Sequence, residues 1–261
     1  FNDEDFPEIS KSNIVFTLEF SQGIFKNMIR QVIYARAEES PSRPQLTGVL
    51  VESREGKLHM VALDGYRISW RWESLDNPNQ QDFSIIIPGK TLIELSRILS
   101  DKQDETFKIF TADNRIEFRT DNVVISSRVL DGSFIDYEKV VNVEPKTQLQ
   151  IDTDALESAI DRAIVLAREG SKNNLVKFQI SNNMMEVSAE SELGSISDKV
   201  PCECKGEDLI ITFNARFFIE ALRAIDTPDI DIQFSGDTGP SIIKPVGSDN
   251  YINFILPVRM R

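Results

Sequence analysis

The chain has 261 residues, 42 acidic and 29 basic, with a net charge of −13 and one histidine. A chain this long buries roughly 70–75% of its unfolded surface, enough for one large domain or two ordinary ones. Charged residues at 27% and hydrophobic ones at 41% argue against disorder, and no apolar run has the length of a spanning helix. The start, Phe1-Asn2-Asp3-Glu4-Asp5, is acidic, has no apolar signal region and lacks Met, so a cut piece of a longer chain is expected. Cys202 and Cys204 make neither a disulfide framework nor, by spacing alone, a zinc site. The expected location is the cytoplasm. The acidic balance argues against charge-driven nucleic-acid binding over the whole surface, but leaves room for a local basic face. His59, in the strand-like alternation Lys57–Val61, reads as structural, and there is no P-loop or GxGxxG pattern. With 42 acids, chance carboxylate pairs are inevitable and carry no signal without geometry.

Residues 1–10 read as a linker ending near Phe6-Pro7, followed by a strand with Ile14, Phe16, Leu18 and Phe20 alternating. Ser21 is a good N-cap for a helix over 21–38, whose Ile24, Met28, Ile29, Val32 and Ile33 fall at helical spacing. Pro41 and Pro44 end it. Strands follow at Leu46–Glu52, Lys57–Leu63 and Arg67–Trp72, with Asp64-Gly65 as a turn. After a polar loop, Asp76–Asp82, come a strand Phe83–Ile87, a stop at Pro88-Gly89 and a helix over 89–100. Strands at 106–110, 115–120 and 123–130 and the turn Asp131-Gly132 close the unit.

The same order then begins again: a strand 149–152, Thr153 as N-cap, a helix over 153–169 and strands at 175–180, 184–190, 194–200 and 208–213. A helix over 214–225 and strands at 229–234, 241–245 and 250–256 complete it. Two signals support the repeat. Ala35-Arg36 aligns with Ala167-Arg168, and Ile93-Glu94-x-x-Arg97 with Ile219-Glu220-x-x-Arg223. The expected class is α+β, two tandem copies of one domain, each of antiparallel strands backed by two helices, over 11–144 and 145–261.

The four expected helices hold nine basic residues (Lys26, Arg30, Arg36, Lys90, Arg97, Arg162, Arg168, Arg216, Arg223) and seven acidic ones, so the negative excess lies elsewhere. Near-neutral helices on an acidic chassis suit a face presented to phosphate. The plainer reading is Glu–Arg pairs solvating amphipathic helices.

The string Val61-Ala62-Leu63-Asp64-Gly65-Tyr66-Arg67-Ile68 resembles the ATDGHRL-type segment of the bacterial sliding clamp family, the beta subunits of DNA polymerase III. Ile86-Ile87-Pro88-Gly89-Lys90, Val129–Tyr137 and the terminal Leu256-Pro257-Val258-Arg259-Met260 fit the same family in the same order, and Asp5-Phe6-Pro7 looks like its interdomain linker. The resemblance covers essentially the whole chain, as the second and third of the family's three similar domains. It implies a processivity factor without catalytic chemistry, cofactor or metal. Two three-domain subunits would close head to tail around duplex DNA, strands outside and helices lining the hole. Such a ring is held by topology, so tight phosphate contacts and base readout are not expected.

The resemblance also implies a groove between the two domains that takes short peptides from polymerase, clamp loader and repair proteins. Carried over by motif, its wall comprises Leu46, Leu63, Gly65, Tyr66, Arg67, Ile68, Ile135, Lys139 and Val140 from the first unit. Asn214, Phe217, Ser241, Ile255, Leu256, Pro257, Val258, Arg259 and Met260 come from the second. Leu63, Tyr66, Ile135 and Lys139 depart from the family's usual Thr, His, Pro and Arg, which bears on peptide preference more than on the groove itself. DNA-facing candidates are Lys26, Arg30, Arg43, Lys90, Arg97 and Arg168, and Val165 and Leu166 are expected at the subunit interface. Because the first domain is absent from the sequence, the chain itself is expected to be monomeric. The competing reading is a carboxylate-dependent hydrolase on a duplicated α+β unit, with acids about 5–10 Å apart in a cleft. A third is a peptide-binding adaptor unrelated to DNA.

Overall fold

The computed structural model describes residues 15–76, 82–112, 114–170 and 174–259; the linker over 1–10, Ile14, residues 77–81, Met260 and Arg261 lie outside the described residues. The first unit runs β1 (Val15–Ser21), α1 (Gln22–Val32), β2 (Gly48–Arg54), β3 (Lys57–Leu63), β4 (Arg67–Ser74), β5 (Phe83–Pro88), α2 (Gly89–Ile98), β6 (Thr106–Ala112), β7 (Arg115–Arg119) and β8 (Val124–Arg128). A connection carrying the short helix α3 (Tyr137–Val141) follows. The second unit runs β9 (Thr147–Asp152), α4 (Thr153–Gly170), β10 (Leu175–Ser181), β11 (Met184–Ser191), β12 (Gly194–Gly206), β13 (Leu209–Asn214), α5 (Ala215–Leu222), β14 (Asp229–Phe234), β15 (Ser241–Pro245) and β16 (Tyr251–Ile255).

The two units repeat strand for strand. The order β1-β6-β7-β8 recurs as β9-β14-β15-β16, and β5-β2-β3-β4 recurs as β13-β10-β11-β12, all antiparallel. Helix starts fix the alignment. Ser21 Oγ accepts from the Ile24 amide at 3.3 Å and Asp152 Oδ1 from the Ala155 amide at 2.7 Å, each capping three residues ahead. Asp152 is therefore the cap expected at Thr153, whose hydroxyl instead donates to the Thr227 carbonyl at 2.9 Å. With the caps superposed, Ala35 matches Leu166, so the expected Ala35–Ala167 alignment is one residue out. The second helices align as read: Pro88 and Asn214 both stand at the N-cap, and Glu94 matches Glu220.

The units are fused through a sheet. β16 pairs with β4 in the register Tyr251↔Arg71, Asn253↔Ser69 and Ile255↔Arg67, giving one 12-stranded sheet. Period-2 alternation decides which side each residue serves. Val49 and Val51 of β2 and Leu58, Met60 and Ala62 of β3 enter a core with α1 and α2. A second core packs α4 and α5 on their own sheets. Leu50, Val61, Leu63 and Ile68 point the other way and join Ile242, Ile252, Phe254 and Tyr137 in a third cluster at the junction, beneath the connection.

Three boundaries differ from expectation for local reasons. α1 stops at Val32 and passes into a 3-10 turn at Ile33–Ala35, where Tyr34 packs against the second unit's core while Ala35 stays in the first. Pro44–Thr47 is a 3-10 turn, so β2 begins at Gly48, whose close contacts with the Ile87 carbonyl and Ile86 leave no room for a Cβ. β12 continues past Pro201 because its ladder changes partner there, from β11 to β9, and a proline at the changeover removes no needed donor. Among the described residues no helix is long and apolar enough to cross a membrane, and no cluster of three or more His, Cys, Asp or Glu could hold a metal.

Candidate peptide groove and helix face

Asp64 builds the β3–β4 turn. Its Oδ1 accepts from the amides of Tyr66 (2.9 Å) and Arg67 (3.1 Å) and its Oδ2 from Arg67 Nε (2.9 Å), with Gly65 at φ +96° where a side chain would be strained. The turn therefore presents Tyr66 outward, 64% exposed, and turns Arg67 inward, 6% exposed. Tyr66 stacks on Phe217 of α5 at 6.2 Å between ring centroids. The Arg67 guanidinium lies 4.6 Å from the Phe217 centroid, pairs with Glu220 of α5 and donates to the Tyr34 carbonyl at 2.7 Å. One side chain thus ties the turn, the end of α1 and α5 together across the unit boundary.

The tail after β16 forms the adjoining wall. The Leu256 amide donates to the Tyr66 carbonyl at 2.9 Å, and the Val258 amide to the Thr212 carbonyl of β13 at 2.8 Å. Leu256 is exposed and Pro257 and Val258 half-buried. Below them Leu46, Leu63 and Ile68 belong to the junction cluster, a nearly closed apolar floor. Ile135, Lys139 and Val140 stand exposed on the connection, Lys139 paired with Asp136 at 2.6 Å. Asn214 caps α5, accepting from the Arg216 amide at 3.0 Å.

Not every expected wall residue offers a side chain. Ser241 and Ile255 are buried, the Ser241 hydroxyl donating to the Ile255 carbonyl at 3.4 Å, so they shape the wall from behind. Met260 lies outside the described residues. Glu220, Tyr34 and Thr212 were missed; each enters through a long-range contact that no local pattern announces. Asp64 could have been found, since an Asp before Gly commonly folds back on the following amides.

His59 behind the floor is a structural histidine, as read. It is buried, accepts from Trp70 Nε1–H at 3.2 Å and stacks near Trp70 and Trp72, and burial pushes its pKa down to about 4. Tyr137 donates to Glu52 at 2.6 Å, and burial raises its hydroxyl pKa above the usual range. Burial disfavours both thiolates, lifting Cys202 to about 11 and raising Cys204.

The helix cations are largely answered by acids. Lys26 pairs with Asp101 (2.7 Å), Arg30 with Asp226 and Arg97 with Glu94 (2.7 Å). Arg162 pairs with Asp198, Arg216 with Glu38 and Glu220, and Arg223 with Glu157 and Asp161. Arg43, Lys90 and Arg168 are exposed and pair with no described residue. Val165 projects from α4, 64% exposed, while Leu166 packs against the second core.

Family models of the DNA polymerase III beta subunit match the chain twice, the central domain over residues 19–136 and the C-terminal domain over 138–259. The beta sliding clamp of Bacillus subtilis is 32% identical over 259 residues, 98% of this chain and 68% of that protein. The chain belongs to the bacterial sliding clamp family. The beta sliding clamp of Staphylococcus aureus is 35% identical over 255 residues, 97% of this chain and 66% of that protein. The chain thus spans about two thirds of the curated relatives it matches. The crystal structure of the DNA polymerase sliding clamp from Bacillus subtilis superposes with a TM-score of 0.94 at 32% identity, covering 100% of this chain and 69% of that one. A Pseudomonas aeruginosa sliding clamp bound to griselimycin has a TM-score of 0.93 at 25% identity, covering 100% and 70%. The names of these relatives favour the clamp reading and lend nothing to a carboxylate hydrolase.

Proposed function

We infer that the chain is part of a processivity factor of bacterial DNA replication, cytoplasmic, acting by encirclement of duplex DNA rather than by catalysis. Replicative polymerase, clamp loader and repair proteins dock through short peptides in the groove between the units, over 11–144 and 145–261. The observation that carries this reading is the junction itself. The Asp64 turn, Tyr66, Phe217 and the tail from Leu256 to Val258 form an aromatic and aliphatic wall above an apolar floor. Exposed apolar groups flanked by oriented polar ones suit a Leu or aromatic anchor of an extended peptide.

The helix face supports the other half of the proposal. Six of the nine helix cations are held by acids, so the face can lie beside phosphates without gripping them. Of the other three, Arg36 donates to the Ala37 carbonyl at 3.0 Å, which leaves Lys90 and Arg168, with Arg43 from the loop before β2, for transient contact, each phosphate neutralised adding about 0.9 to the salt slope. The full assembly is a head-to-tail homodimer, with Val165 and Leu166 at the contact between subunits.

Fluorescence anisotropy of a labelled Gln-Leu-x-Leu-Phe peptide tests the groove. Saturable binding on the order of micromolar, about −8 kcal/mol, is expected. It should be lost in a chain lacking Leu256–Arg261 and weakened at least tenfold by Phe217→Ala. A folded chain that binds no peptide would overturn the docking half of the proposal.

A further inference from the structure

The connection between the units is held at few points. The Leu130 amide donates to the Ile86 carbonyl at 2.8 Å, and the Lys146 amide to the Phe234 carbonyl at 2.8 Å. Between those two bonds, among the described residues, no backbone hydrogen bond ties the chain to either unit. The stretch Asp131–Asp136 arches over β2 and β5, leaving a cavity of about 640 Å³ bordered by Leu50, Glu52, Ser84 and Ile86. α3 has five residues and no side-chain cap, too short to hold a helix by itself. Its place is set by what its side chains reach.

One carboxylate on β2 gives that segment its orientation. Tyr137, 4% exposed, inserts beneath the connection in a T-shaped contact with Trp70, 4.9 Å between centroids, and its hydroxyl donates to Glu52 Oε1 at 2.6 Å. Glu52 is fixed in turn: Ser84 Oγ donates to its Oε2 at 3.3 Å, and Arg54 lies 3.8 Å from its Oε1. Arg54 also pairs with Glu138, the next residue of α3. Phe134, Val141 and Val143 pack on the junction cluster and hold the connection down, but apolar contact is non-directional. The bond from Tyr137 to Glu52 is directional, so it fixes the roll of α3 about its own axis. Ile135 and Val140, both exposed, ride on that segment two residues before Tyr137 and three after it.

We propose that Glu52, which lies outside the groove, is a positioning residue for peptide docking: by holding Tyr137 it sets where Ile135 and Val140 stand in the groove wall. The inference rests on the docking reading above. With Tyr137 released, the wall loses its fixed place and must be ordered when the peptide binds, which costs affinity.

Anisotropy of the labelled Gln-Leu-x-Leu-Phe peptide against Glu52→Ala, Glu52→Gln and Tyr137→Phe tests it, with hydrogen exchange of each free chain as a second readout. Glu52→Ala removes the acceptor and should weaken binding about fivefold or more, the size of one lost hydrogen bond. Glu52→Gln keeps an oxygen that accepts from Tyr137 and should bind within about twofold of wild type. Tyr137→Phe keeps the ring packed, and carries the test should Glu52→Ala fail to fold. It should weaken binding as Glu52→Ala does, and the double variant should be no worse than either single, because both remove the same bond. The amides of α3 should exchange faster in Glu52→Ala and Tyr137→Phe, while the Asp64 turn keeps its wild-type rates. Wild-type affinity in both folded variants, a loss that Glu52→Gln does not restore, additive singles, or unchanged exchange at α3 would each overturn the proposal. A wild-type chain that binds no peptide sinks the docking reading and this inference with it; a wild-type chain that binds, beside variants that bind equally well, sinks this inference alone.

Discussion

Arg67→Met removes the one side chain that joins three elements across the unit boundary, and its cost can be worked from the structure. Breaking a buried ion pair from one side costs about 3–5 kcal/mol, mainly through the partners left behind. Here two partners are partly compensated. Asp64 keeps the amides of Tyr66 and Arg67, and Glu220 keeps Arg216 at 2.8 Å. The Tyr34 carbonyl loses the Arg67 donor, and Phe217 loses the guanidinium beside its ring. The lower end, about 3 kcal/mol, follows, or a fall of roughly 6–12 °C in Tm for a chain of this size. Urea denaturation monitored by circular dichroism measures it, with the Arg67→Met/Glu220→Gln double variant giving the coupling of the pair. The double variant should cost less than the sum of the singles. A loss under about 1 kcal/mol, the range of an exposed pair, would refute the view that Arg67 fastens the junction.

Four further outcomes follow from named groups. His59 has a folded pKa of about 4 against 6.5 unfolded, so its stabilisation is complete above pH 6.5 and declines as pH falls toward 4, when the unfolded chain binds the proton first. The loss approaches about 3 kcal/mol, and His59→Gln should flatten that part of the stability–pH curve measured by urea titration. Cys202, its thiol lifted to about 11, should react with a thiol reagent at pH 8 only as fast as the chain opens, and speed up in denaturant. In duplex binding followed by anisotropy at stepped salt, Arg43→Glu with Lys90→Glu should lower both affinity and the salt slope. Arg97→Ala, which removes a cation already held by Glu94, should change the slope little. Tyr66→Ala should weaken peptide binding several-fold with no loss of Tm above about 2 °C, since the ring is exposed and its only described ring partner is Phe217.

Much of the fold was legible because its signals are local. Alternation along β3 and β4, helical spacing in α1 and the stop at Pro88-Gly89 all depend on neighbours within one turn or pleat. The repeat was legible through Glu94 and Glu220, and obscured at the first helix because Ala35 and Ala167 are similar by chance rather than by position. α3 was missed: Tyr137-Glu138-Lys139-Val140-Val141 is five residues with no helical apolar period, and it is held by Tyr137 entering the junction cluster. Pro201 reads as a strand end until a change of ladder partner makes it harmless. At the groove, the motifs shared with the family pointed to the wall, but burial did not follow from them. Arg67 lies inside and Tyr66 outside because Asp64 folds the turn back, and Ser241 is buried with its hydroxyl donating to the Ile255 carbonyl of the adjacent strand. The fusion of β16 to β4, which makes the groove a boundary between units, joins segments far apart in sequence and has no local signature.

Hydrogen exchange of the chain with and without a saturating Gln-Leu-x-Leu-Phe peptide tests the central claim most directly. Protection gained at Leu63–Ile68, around Phe217 and along Leu256–Val258, with β8 and the Gly194–Val200 stretch of β12 unchanged, is the predicted result. Binding that protects other segments and leaves the Asp64 turn and the tail unaltered would contradict it.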